Sequence, residues 1–265
     1  QGHLKPIMSP INYKIRGKGL PVILIHGFCE TGEIWDALAK SLVDHFQVIT
    51  IDLPGFGKSP LPKGNFTLDE VGLLLNGWVA EQGFKNPILL GHSLGGYVTL
   101  AMVKQNSELY AGFGLIHSTA RPDNDLKKVN RDKVIEFVHE HGVKPFVNSF
   151  VPSLYYTKDH PSMDFVHKIA SSTSEVTFLS YTAAMRDRPS SEEVIRKSTI
   201  PVLIVAGQND TVVESESLAE QARLNDQVIF HNLAHVGHMG MFEAEPELTS
   251  VIIEFVSRVT KPGAE

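Results

Sequence analysis

The sequence predicts an α/β fold, a mostly parallel sheet with helices on both faces. Short apolar runs rich in branched residues recur along the chain, helical patterns separate them, and the runs lack the polar alternation of a strand with one wet face. A run that is apolar throughout is buried on both sides, and strands joined through helices lie parallel.

Taken in order, Ile11–Arg16 alternates and stops at Gly17 and Gly19, which reads as an edge hairpin strand. Pro21–Ile25, Val48–Ile51, Pro87–Leu90, Phe113–Ile116 and Pro201–Val205 are the buried runs, and Val228–His231 is a last strand-like run. Helical patterns fill the intervals at Ile34–Leu42, Leu68–Gln82, Leu94–Gln105, Glu214–Arg223 and Leu248–Val259. The helix from Leu68 opens on a capping box, with Thr67 as N-cap and Glu70 as the returning partner.

One stretch breaks this rhythm. From about Ser118 to Ser198 no buried strand is legible, while Val129–His139, Phe165–Ser172 and Val176–Met185 look helical, punctuated by Pro145, Pro152, Pro161 and Pro189. A helical insertion between two core strands, at the end of the sheet where ligands sit, makes a lid over a pocket. The expected organisation is a core of residues 8–117 and 199–262 with a cap of residues 118–198 inserted within one domain. No internal repeat, linker or low-complexity tract divides it further. Gln1–Pro6 reads as an added leader ahead of a start at Met8.

Composition bounds the partners. The 265 residues, 42% hydrophobic and 20% charged, describe an ordinary globular chain and exclude disorder, collagen and coiled coil. A formal charge of -6 comes with no cluster of Lys and Arg, so neither nucleic acid nor a membrane surface is an expected partner. The single cysteine makes no internal disulfide, and the chain has neither a signal-like segment nor a run of about 18 apolar residues. A soluble, cytoplasmic protein is expected, and no pattern speaks to its oligomeric state.

The chemistry begins at Gly91-His92-Ser93-Leu94-Gly95-Gly96, which follows a strand directly and opens a helix. Glycines at 91 and 95 give room for a strained turn that exposes the Ser93 hydroxyl above the sheet, and the helix N-terminus favours negative charge developing beside it. The plain alternative is a glycine-rich turn with an incidental serine; the strand before it and the helix after it favour a nucleophile.

A serine hydroxyl needs a base to take its proton and a carboxylate to orient that base. His238, in the loop Ala234–Met239, is the candidate base, and Asp210, on the turn after Val202–Val205, the candidate acid. Alone, Asp210 would read as an Asx-turn residue. His231, His235 and His238 also raise a zinc site, but Gly237, the loop context and the lack of a completing Cys or Glu argue against metal, leaving His235 to the surroundings or the surface. The oxyanion donors expected are the backbone N–H groups of Leu94 and Phe28, the latter on the loop Ile25–Glu30. Cys29 beside it has no matching His motif and reads as packing, and Asp52–Ser59 reads as a structural turn.

Together these residues resemble the α/β-hydrolase fold family, through His26-Gly27-Phe28, Asp52–Gly57, Gly91–Gly96, Gly207–Asp210 and Gly237-His238, in the family's order over almost the whole chain. The resemblance implies a mostly parallel eight-stranded sheet, a helical cap after the sixth strand, and Ser93, Asp210 and His238 as a catalytic triad. Serine at the elbow argues against haloalkane dehalogenases and epoxide hydrolases, which carry Asp there. Ala183–Pro189 looks like the corresponding stretch of small esterases and enol-lactonase-like members.

The expected activity is hydrolysis of a small to medium carboxylic ester through an acyl-enzyme, with no cofactor. Two alternatives stay open: carbon–carbon hydrolysis of a diketone or dienol by the same serine, and a small-molecule receptor with slow turnover. Phe146, Phe150, Tyr155 and Tyr156 either line the cap's pocket, form its own core, or split between the two.

Overall fold

The computed structural model describes residues 10–260. The expected leader, the start of the core at Met8 and its end at residue 262 lie outside the described residues. Seven strands form one sheet: β1 (Tyr13–Arg16), β2 (Pro21–Ile25), β3 (Gln47–Ile51), β4 (Ile88–His92), β5 (Gly112–Ile116), β6 (Val202–Gly207) and β7 (Val228–Leu233). Their order is β1-β3-β2-β4-β5-β6-β7, and only β1 runs antiparallel.

The count corrects the expectation of eight strands. The seven runs legible in the sequence account for all seven strands, and no described segment supplies the eighth that the resemblance implied. The helical insertion accordingly follows β5, the fifth strand, and not a sixth. Ile11–Arg16 also differs from the hairpin it suggested. Both edges of β2 are taken, by β3 through Val22↔Val48 and by β4 through Ile23↔Leu89, so β1 has only the outer edge of β3, where Tyr13 faces Ile51.

Outside the insertion the helices are α1 (Asp36–Leu42, after a 3-10 turn at Gly32–Trp35), α2 (Leu68–Gln82) and α3 (Leu94–Asn106). Within it come α4 (Asp125–His141), α5 (Val143–Ser153), α6 (Met163–Ser171), α7 (Glu175–Asp187) and α8 (Glu192–Arg196). After β6 come α9 (Ser215–Ala222), α10 (Gly240–Glu243) and α11 (Glu245–Thr260). Thr67 caps α2 as expected, its hydroxyl accepting the Glu70 N–H at 3.1 Å, a contact typically worth about 1 kcal/mol.

The two-residue period of the strands sorts their side chains into two cores. Val22, Leu24, Val48, Leu90 and Val205 pack against Leu38 and Leu42 of α1 and Ile252 and Phe255 of α11. Ile23, Ile25, Ile49, Leu89 and Ile204 pack against Val71 and Leu75 of α2, Val98 of α3 and Leu218 of α9. Every parallel strand thus points its carboxyl end toward the insertion's side of the sheet, where ligand sites of open α/β sheets lie.

In the insertion α5 is a helix the prolines concealed. Pro145 falls in its first turn, where a backbone N–H has no intrahelical acceptor to lose, and Pro152 falls in its last. Val143, Val147 and Val151 form its buried face.

Candidate active site

β4 ends at His92 and α3 starts at Leu94, which leaves Ser93 alone in the turn at φ 52° and ψ -117°. A non-glycine residue rarely adopts positive φ, so neighbours must hold it there. A β-carbon at Gly91 would run into the Gly95 backbone, and one at Gly95 into the Ile25 carbonyl, so the turn closes only with glycine at both positions. The Ser93 N–H donates to the Ile116 carbonyl at 3.1 Å and the Ser93 carbonyl accepts from the Ser118 hydroxyl at 2.7 Å, pinning the turn to the end of β5.

Asp210 follows β6 and His238 follows β7, and the fold brings their side chains together: the His238 ring Nδ1 and Asp210 Oδ2 are 2.8 Å apart. The other carboxylate oxygen of Asp210 accepts the Val212 and Val213 N–H groups at 2.8 and 3.1 Å. Burial works against the charge on Asp210, yet His238 and these donors hold its carboxyl below the usual range. The proton of the His238 pair therefore sits on Nδ1, which leaves Nε2 free to act as a base.

Ser93, His238 and Phe28 line one cavity of about 50 Å³, closed by Phe150, Leu154 and Met185 of the insertion. Asp210 lies behind His238 and outside the lining. Among the described residues the Ser93 hydroxyl is not hydrogen-bonded to the His238 ring; such contacts commonly tighten only around a substrate. Also among the described residues, the Phe28 and Leu94 N–H groups have no acceptor. His26 braces the loop carrying Phe28: its ring accepts the Leu53 N–H at 2.9 Å through Nε2 and donates from Nδ1 to the Gly27 carbonyl at 2.8 Å. Burial pushes His26 down, in keeping with a neutral ring.

The remaining sequence candidates find their places. His235 is exposed and lies against Tyr156, and among the described residues no group of three or more His, Cys, Asp or Glu gathers as a metal site. Cys29 is buried and burial pushes its thiol far up, so it is no thiolate nucleophile. Asp52 anchors its turn by accepting from the Gly32 N–H, the Asn12 amide and the Lys58 N–H. The four cap aromatics split: Phe150 lines the cavity, Phe146 stacks behind it at 5.2 Å, Tyr155 bonds Ser162, and Tyr156 is 46% exposed.

Sequence reasoning missed three buried polar groups around this site. Glu30 faces the His92 ring Nδ1 at 2.8 Å, and the His92 Nε2 faces the His238 main-chain carbonyl at 2.7 Å. His117, at the end of β5, accepts the Gly240 N–H on its Nε2 at 3.0 Å, and burial pushes it down to about 3. The signal was present, since all three stand just after or at the carboxyl ends of parallel strands.

The model of a protein family described as alpha/beta hydrolase fold matches residues 21–245. The chain is 29% identical, over 93% of its length and 87% of the other's, to a 2-hydroxy-6-oxo-6-(2'-aminophenyl)hexa-2,4-dienoic acid hydrolase of Metapseudomonas resinovorans. A thermophilic esterase from Thermogutta terrifontis, solved with malate bound, superposes at a TM-score of 0.89 with 29% identity, covering 95% of this chain and 94% of that one. The enol-lactonase from Burkholderia xenovorans LB400 superposes at 0.86 over 94% of this chain and 97% of that one, and its 18% identity speaks to the fold alone.

Proposed function

The chain belongs to the α/β-hydrolase fold family and is a hydrolase, and from that premise we propose that it cleaves small to medium carboxylic esters with Ser93, His238 and Asp210 as its triad. The observation that carries this reading is the 2.8 Å Asp210–His238 pair, its His238 ring lining the same small cavity as the strained, half-buried Ser93.

In this mechanism the Ser93 hydroxyl adds to the ester carbonyl as His238 Nε2 takes its proton. The Phe28 and Leu94 N–H groups receive the negative charge on the carbonyl oxygen, and the N-terminus of α3 adds its dipole. His238 then gives the proton to the leaving alcohol, which departs to leave an acyl-Ser93. Water, deprotonated by the same His238, adds to the acyl group, and collapse returns the acid and free Ser93. Asp210 stays ionised throughout and stabilises the imidazolium.

The cavity beside Ser93 is small, about 50 Å³. Phe150, Leu154 and Met185 bound the space beside Ser93, which in this reading gives the insertion the role of a lid that selects acyl groups by size. No helix of the described residues is long and apolar enough to cross a membrane.

The likeness to the hexadienoic acid hydrolase over most of the chain supports a second reading, carbon–carbon hydrolysis. There the same serine would add to a ketone and the proton would go to carbon.

The test is p-nitrophenol release from short and medium p-nitrophenyl esters by the wild type beside Ser93→Ala. The proposal expects turnover that falls by at least about 10³-fold in the variant. Equal rates in the two proteins would remove the ester reading, and decay of a dienone chromophore under the wild type alone would then establish the carbon–carbon one.

A further inference from the structure

We propose that Glu30 and His92 act as a positioning pair for this site, sharing one proton that ties the oxyanion loop to the loop of the base. The inference rests on the triad reading above for its kinetic consequence, but its structural content does not.

The protons can be counted from the contacts. Glu30 Oε1 accepts the Gly27 N–H at 2.5 Å and lies 2.8 Å from the His92 Nδ1. On the far side, the His92 Nε2 lies 2.7 Å from the main-chain carbonyl of His238. A carbonyl only accepts, so Nε2 carries a proton. The Nδ1-to-carboxyl contact needs a proton as well, so the pair holds one more than an ionised Glu with a neutral His. Imidazole is the stronger base by about two pKa units, which puts that proton on the ring: His92 is an imidazolium between two acceptors and Glu30 is a carboxylate.

The surroundings agree. Glu30 and His92 are only 3% and 1% exposed. Burial opposes charge on each, but their mutual attraction holds His92 above and Glu30 below their ordinary values. The other titratable groups facing His92 are His26 from the loop after β2, His117 from the end of β5, and His238 with Asp210 behind it. Burial disfavours a proton on His26 and His117, so neither competes, while Asp210 favours the charge.

The three bonds join the parts that must move least during catalysis. Gly27 precedes Phe28, His92 precedes Ser93, and the carbonyl belongs to His238 itself. Removing the shared proton leaves His92 with one N–H for two acceptors, and either the Glu30 oxygen or the His238 carbonyl then faces a lone pair. The raised pKa of His92 places this loss on the alkaline side of its ordinary value, so turnover declines as pH rises through it.

Nitrogen-15 NMR of the histidine rings in the wild type tests the proton count, with the His92 signals assigned by their loss in His92→Gln. Two protonated ring nitrogens are expected at a pH of about 7.5, where an ordinary imidazole is roughly nine-tenths neutral. A single protonated nitrogen on His92 overturns the proposal.

Glu30→Gln tests the consequence, read on p-nitrophenyl acetate across pH. An amide oxygen at that position accepts both donors but leaves no charge to hold the extra proton, and an amide nitrogen opposes the Gly27 N–H. The expected result is a kcat lower by about 10- to 100-fold, KM within about threefold, and an alkaline limb moved down by about one pH unit or more. Glu30→Asp, which keeps the charge, retains the wild-type limb. An unmoved limb in a folded Glu30→Gln overturns the proposal. If the wild type shows no ester turnover the triad reading fails by itself, and the ring nitrogens still decide the pair.

Discussion

The elbow and the insertion hold their shapes by opposite means. At the elbow the backbone does most of the work: glycines let α3 sit on the end of β4, the Ile116 carbonyl and the Ser118 hydroxyl hold Ser93 at positive φ, and the buried Glu30 and His92 side chains beside it are paired. The insertion, five helices between β5 and β6, is held largely by side chains, although the His238 N–H also donates to the Leu154 carbonyl at 2.8 Å. Buried Asp123 takes the Arg188 guanidinium on one oxygen at 2.8 Å and Arg131 on the other at 2.9 Å, and Arg188 lies 3.8 Å over the Tyr97 ring of α3. Backbone packing has few alternative arrangements, whereas side-chain anchors can be remade. The difference fits the division of labour proposed above, in which the core carries the chemistry and the insertion selects what reaches it.

That contrast breaks first at the proposed triad. Asp210→Asn keeps the shape of the site but loses the charge that fixes the His238 tautomer. A fall in kcat of about 10⁴-fold, by analogy with the loss of the orienting acid in serine proteases, is expected beside a modest fall in the urea midpoint from the lost carboxylate. A loss of stability with modest change in kcat would instead make Asp210 a turn residue.

Gly95→Ala probes the backbone side. Its β-carbon would meet the Ile25 carbonyl at the end of the internal strand β2 and the His26 carbonyl just after it, so a loss of at least about 3 kcal/mol in urea denaturation is expected. Near-neutral stability would show that the close approach of α3 to β2 is not what holds the elbow.

Asp123→Asn probes the insertion. Removing the shared carboxylate leaves two arginines without it, at a cost of about 2 to 3 kcal/mol, discounted because Arg131 is partly exposed. Hydrolysis of the shortest ester should survive. Although burial opposes it, the two arginines hold the Asp123 carboxyl below the usual range. Its stabilisation is therefore complete above the unfolded value near about 4 and is lost as pH falls through the folded one, so Asp123→Asn flattens the acid limb of stability below about pH 4.

The smallest effect expected is at Phe150. Phe150→Ala enlarges the cavity beside Ser93 and should shift the preference in kcat/KM toward longer acyl chains by about tenfold, without lowering kcat on acetate. An equal loss on every ester would make Phe150 part of the insertion's packing.

Much of this molecule was legible along the chain. Apolar runs and helical periods marked all seven strands, and Gly91–Gly96 announced its turn because close backbone approach demands glycine wherever it occurs. The candidates Ser93, Asp210 and His238 each follow or end a strand, which a one-dimensional reading can see. Arrangements that depend on which strand lies beside which were not legible. The sequence alone read β1 as an edge hairpin strand, the resemblance added an eighth strand, and α5 was hidden by Pro145 and Pro152, which fall in its first and last turns.

The sequence by itself determined the local elements and the chemical groups at their ends, because period, capping and glycine requirements act between near neighbours. The tertiary structure realised the expected pairing of Asp210 with His238 across 28 positions, and it alone decided Glu30 with His92 across 62 and His92 with the His238 carbonyl across 146. Each is a contact at or beyond the carboxyl ends of different strands, and it exists because sheet order and register bring those ends together. Hydrogen bonds reach about 3 Å, a distance that only the packed sheet can set.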